Sequence, residues 1–80
     1  MGIVRRDMMS NEIDGKKIAD NIRAERNRAN ITIDTIEKEL KISRPTYVEY
    51  EKDAEKVKTG TLIKLARLFN CSISSFFVQN

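Results

Sequence analysis

Side chains that do chemistry on substrates are scarce in this chain. It has no histidine and a single cysteine, Cys71. No acid–base pair, activated nucleophile, metal-ligand spacing or phosphate-binding loop is present in the sequence. The expectation is no enzyme, no metal, no cofactor and no small-molecule substrate. Cys71 follows a helix stop and reads as a small buried hydrophobe, since no His or Asp partner motif accompanies it. The chemistry left to the chain is that of binding. The stretch the rest of the chain looks built to support is Thr32–Glu51, TIDTIEKELKISRPTYVEYE.

Two short helices must position that run. Ile36 and Leu40 are spaced to share one helix face, and Tyr47 and Tyr50 do the same on the next. Ile42 falls between them, where a turn residue plugs the joint. Thr32 caps the first of these helices, about Ile33–Leu40, with Asp34 near its positive end. Ser43 is a good N-cap and Pro45 is tolerated only in a first turn, so a new helix starts there and runs about Arg44–Glu51. Two helices meeting at a three- to four-residue turn describe a helix-turn-helix at about 32–51.

The remainder reads as support. Residues 1–12 are charged and irregular and are expected to be a flexible extension; 13–80 form one domain. Arg5 and Arg6 read as a solvated tail in preference to a minor-groove arm. A first helix begins near Asn11 to Asp14, with Ile13 at its entry and a stripe of Ile18, Ile22 and Ala29. Asn30 stops it. A polar connection, Lys52–Lys58, precedes a helix at Gly60–Phe69 capped by Thr59. Its apolar set of Leu62, Leu65, Ala66, Leu68 and Phe69 is wide enough for a central core helix. Asn70 stops it, and Ser72 caps a fifth short helix, Ile73–Phe77. The fold class is all-α: a compact five-helix domain. Hydrophobic residues at 40% and charged residues at 34% fit a globular chain. No apolar run approaches ~18 residues, so no membrane span is expected. One cysteine excludes an internal disulfide and points to a reducing, cytoplasmic compartment. A net charge of +3 permits nucleic-acid binding without arguing strongly for it.

With these blocks in place the chain resembles the lambda-repressor/Cro-type helix-turn-helix family. IADNIRAER in the first helix, KELKISRPTYVEYEK across the turn and TLIKLARLFNCSISSFF at the end carry the resemblance, from about Lys17 to Phe77. The resemblance implies a lambda-repressor-like DNA-binding domain in a bacterial or phage-infected host cell. Its partner would be double-stranded operator DNA, and homodimerisation would suit palindromic operators. By position, Arg26 and Glu51 match a structural ion pair. Ser43 matches a phosphate-contacting cap, and Arg44, Pro45 and Glu49 match positions that face base edges. Arg44 is the expected bidentate reader of guanine, and Glu49 would accept from a cytosine amine. Thr46 would serve bases or phosphate, Lys52 the backbone, and Thr32 stands at the DNA-facing start of its helix.

The residues also depart from the family pattern. Ile33 stands where a phosphate-clamping Gln is common, Glu37 where a small residue is usual, Lys41 where a turn glycine is usual, and Val48 where a polar one is. Glu37 must snorkel, pair or open the helix crossing, and Lys41 must accept or avoid a left-handed conformation. Within Thr32–Glu51, three cations against five anions give −2, so the excess positive charge lies elsewhere. Two functions follow. One is a small operator-binding regulator of the Cro or phage-repressor type, with the second motif helix in the major groove. The other is an antirepressor or modulator that forms a heterodimer with a repressor protein. Ile33, Val48, Phe76, Phe77 and Val78 are the candidate protein interface. Phe76 and Phe77 are adjacent, so a helix points them ~100° apart, one into the core and one outward. Tyr47 and Tyr50 are expected on the core side.

Overall fold

The computed structural model describes residues 14–79. The expected extension at 1–12, the entry residue Ile13 and the Arg5–Arg6 pair lie outside them. Among the described residues four α-helices run in order: α1 Gly15–Ala29, α2 Ile33–Leu40, α3 Arg44–Tyr50 and α4 Thr59–Leu68. A 3-10 helix, Ile73–Phe77, follows and stands where a fifth short helix is expected. There is no strand among the described residues.

Capping sets most of these boundaries. Asp14 opens α1 by accepting from the Lys17 backbone N–H at 2.8 Å. Thr32 and Ser43 do the same for α2 and α3, accepting from the Thr35 and Thr46 backbone N–H groups at 3.2 and 3.3 Å. Each hydroxyl satisfies one of the donors that a helix start leaves unpaired. Ser72 caps the 3-10 helix through the Ser74 N–H. α4 differs from its reading. It begins at Thr59 with Lys58 as N-cap and has no side-chain cap, so Thr59 sits in the first turn instead of capping it. Among the described residues three non-glycine positions have positive φ, and each follows a helix: Asn30 at 59°, Lys41 at 57° and Asn70 at 57°. Asparagine tolerates this conformation. Lys41 accepts it at a position where glycine would be the easier residue, so the turn keeps its shape at some backbone cost.

The core gathers one stripe from every helix. Ile18, Ala19 and Ile22 come from α1, Ile36 from α2, Tyr47 from α3, Leu62, Leu65 and Ala66 from α4, and Phe69 and Phe76 from the C-terminal part. Tyr47 and Tyr50 meet edge-to-face at 6.1 Å, and Phe69 and Phe76 at 6.2 Å. Leu68, Ile42 and the half-buried Cys71 pack against this cluster. Burial pushes the Cys71 thiol above its ordinary range, with the Glu25 carboxylate adding to the shift.

Two fastenings escape any periodicity argument. The loop after α3 is pinned to the start of α1 by Ala54 N–H donating to the Gly15 carbonyl at 2.9 Å. A Cβ at Gly15 would lie 2.0 Å from Asp53 Oδ1 and 2.6 Å from the Glu55 backbone nitrogen. Glycine is required here by close approach. At the other end, Asn21 Nδ2 on α1 donates to the Phe76 and Val78 carbonyls at 2.8 and 2.9 Å.

Candidate nucleic-acid interface

α3 is rolled by its aromatic face. Tyr47 is fully buried and Tyr50 half-buried against it, so the opposite side of this short helix faces water. Ser43, Arg44, Pro45, Thr46 and Glu49 are all exposed, and Lys52 is exposed just beyond the helix. Thr32 is exposed at the start of α2. An open groove of about 410 Å³ runs between the end of α1 and the starts of α2 and α3, bordered by Arg26, Asn27, Asn30, Thr32, Asp34 and Arg44 among others. The hydroxyls are partly engaged. Ser43 Oγ and Thr46 Oγ1 lie 2.9 Å apart, and Thr32 Oγ1 and Thr35 Oγ1 lie 3.0 Å apart.

The cations of this face are engaged too. Arg44 Nη2 donates to Asp34 Oδ1 and lies 3.8 Å from Glu37 Oε1. Both carboxylates come from α2, so the two helices of the motif are bridged across their open side. This is how Glu37 is accommodated at the helix crossing: it is neither unpaired nor fully buried. Its side chain is 34% exposed and faces a guanidinium. Lys52 Nζ is 3.5 Å from Glu49 Oε2. These pairs are wet, with side-chain exposures of 50% and 78% for Arg44–Asp34, and contacts of this kind contribute little to stability. Sequence reading placed Asp34 only as a favourable charge at the helix start. The acidic count of the motif was the visible signal; which cation the acids would meet was not.

A second cluster lies behind the motif. Arg26 Nε donates to Glu51 Oε2 at 2.6 Å, and Nη2 to Oε1 at 3.3 Å. Arg26 Nη1 also reaches the Ile31 carbonyl at 3.2 Å, and Tyr47 Oη donates to Glu51 Oε2. The Arg26 and Glu51 side chains are only 17% and 11% exposed. Arg26 from α1 and Tyr47 from α3 therefore meet on the Glu51 carboxylate, and Arg26 also ties in the α1–α2 connection through Ile31. The hydrogen bond to Glu51 holds the Arg26 guanidinium above its ordinary pKa. Burial first, and Glu51 second, push the Tyr47 hydroxyl well above the usual tyrosine range.

The residues read as a protein interface differ in their exposure. Phe76 is fully buried against Phe69, which corrects its assignment as an interface residue: it is the core member of the adjacent pair. Phe77 and Val78 are exposed, at 39% and 43%. Ile33 is half-buried and packs on the core, and Val48 is half-buried on α3. Among the described residues no cluster of three or more His, Cys, Asp or Glu could hold a metal ion. None of their helices is long and apolar enough to cross a membrane.

The helix-turn-helix family model matches residues 22–76, more than half of the chain. The chain belongs to the helix-turn-helix family. Within it the type is that of the lambda repressor, and the protein is a DNA-binding transcription regulator of that type. No curated protein and no solved structure matches the chain. The matched span runs from the middle of α1 to the 3-10 helix, so it includes the motif and all four α-helices in whole or part.

Proposed function

We propose that this helix-turn-helix protein is a small operator-binding regulator that lays α3 in the major groove. The observation that supports this reading is that Ser43, Arg44, Pro45, Thr46 and Glu49, at the start and along α3, are all exposed, as is Lys52 just after it. Arg44 is the main reader, through a bidentate contact to guanine, and Glu49 accepts from a cytosine amine. Ser43, Thr46, Thr32 and Lys52 fix the register by meeting phosphate. The protein binds a palindromic duplex as a dimer, each copy reading one half-site. Binding should fall steeply with salt, and Arg44→Ala should abolish preference for the selected site. Salt-insensitive binding, or none, to every duplex in a randomised pool would refute this reading.

A second reading is favoured by the pairing of Arg44 and Lys52 with acidic neighbours. A face whose cations are already neutralised suits a protein partner, here a repressor whose DNA binding the chain modulates as a heterodimer. Val48, with Ile33 and the exposed Phe77 and Val78, would then supply apolar contact. Val48→Asp should break such a complex, measured by co-elution with the repressor; retention of the complex would remove Val48 from it.

A further inference from the structure

We infer that Asp34 and Glu37 are specificity-determining residues: they hold Arg44 against α2 and thereby filter which DNA can claim it. This rests on the reading of Arg44 as a base reader. The geometry is the evidence. Arg44 Nη2 donates to Asp34 and stands 3.8 Å from Glu37, so one guanidinium faces two carboxylates of the neighbouring helix. The arginine is half exposed and Asp34 more so, which leaves the contact exchangeable with solvent and with a ligand.

The filter follows from the chemistry of the competing acceptors. A lone phosphate oxygen offers Arg44 roughly what Asp34 already gives it, and it must approach past two carboxylates to do so. Guanine offers two acceptors in the plane of the fork, O6 and N7, and carries no formal charge to be repelled. The acids therefore tax non-specific contact more than guanine contact. The two acids are neutralised only in part: two anions on one cation leave a local charge of −1 beside the groove. A chain built this way holds other DNA more weakly and so gains a larger ratio between its site and the rest.

Selection from a randomised duplex pool supplies the test, using the full chain and variants D34N, E37Q, R44A and their combinations. Fluorescence anisotropy is read on the selected duplex, on that duplex with its contacted G·C pair replaced by A·T, and on a scrambled duplex. D34N/E37Q should bind the scrambled duplex about threefold to tenfold more tightly, the range expected for losing one or two exposed carboxylate contacts. Affinity for the selected duplex should change by less than about twofold, so the specificity ratio falls by a similar threefold to tenfold. In the R44A background the two substitutions should lose most of this effect, because they act through the arginine. An equal gain on all three duplexes, or the same gain with and without Arg44, would overturn the inference and leave simple charge repulsion. If the pool yields no preferred sequence, the DNA reading itself fails and takes the inference with it. Unchanged thermal unfolding of D34N/E37Q separates either result from misfolding.

Discussion

Arg26 and Arg44 each meet a carboxylate from a distant part of the chain, and the two meetings have opposite physical characters. Arg26 and Glu51 are held in bidentate geometry at low exposure, and both groups have further partners in Ile31 and Tyr47. Arg44, Asp34 and Glu37 sit in water, with Asp34 78% exposed. In the first case the charges cannot leave without stranding a desolvated group, so the pair fixes helix positions. In the second the charges lose little by separating, so the pair can give way to a ligand. The same two residue types serve architecture or recognition according to how much water surrounds them.

Breaking each pair should expose that contrast. Glu51→Ala strands Arg26 and the Tyr47 hydroxyl together, and it is expected to lower stability by about 3 kcal/mol, the lower end for a broken buried pair. A shift in the urea midpoint at constant slope would measure it. Gly15→Ala attacks the same loop at its other attachment, where the added methyl meets backbone; a loss of about 2 kcal/mol is expected, as for overpacking. Tyr47→Phe removes one hydrogen bond to Glu51 and should cost about 1 kcal/mol at neutral pH. That cost is pH-dependent. Folding raises the Tyr47 pKa above its ordinary 10.0, so its contribution is intact below pH 10 and is lost as pH rises beyond it. The stability gap between the native chain and Tyr47→Phe should therefore narrow above pH 10, as followed by urea unfolding at stepped pH. Asp34→Asn is the smallest change. It should leave stability within about 0.5 kcal/mol, and a loss as large as that of Glu51→Ala would erase the distinction between the two clusters.

The sequence carries the framework well because its signals are local. Thr32, Ser43 and Pro45 mark helix starts by hydrogen-bonding and ring geometry alone, and α2 has the bounds its pattern predicts. Asn30 and Asn70 mark stops for the same kind of reason. Signals that depend on distant partners are poorly legible. Gly15 looks like an indifferent first-turn residue until the loop at Asp53–Glu55 is laid over it. Ala54, inside a polar connection, reads as solvated yet is buried. Adjacency says that one of Phe76 and Phe77 turns inward, but only packing on Phe69 selects Phe76. At the interface, side-chain type and spacing indicate which residues face outward. The partner of Arg44 is a matter of rotamer and of Asp34 ten positions earlier, which no periodicity encodes.

Asn21 gives the molecule a mechanical property. Its amide grips two carbonyls of the C-terminal segment from the middle of α1. A load applied to the chain just past Val78 is thus delivered to the helix that contributes Ile18, Ala19 and Ile22 to the core, through these two hydrogen bonds as well as through the buried Phe76. Anything tethered at that end pulls on the centre of the domain, and the C-terminal segment behaves as a clasp whose release loosens α1.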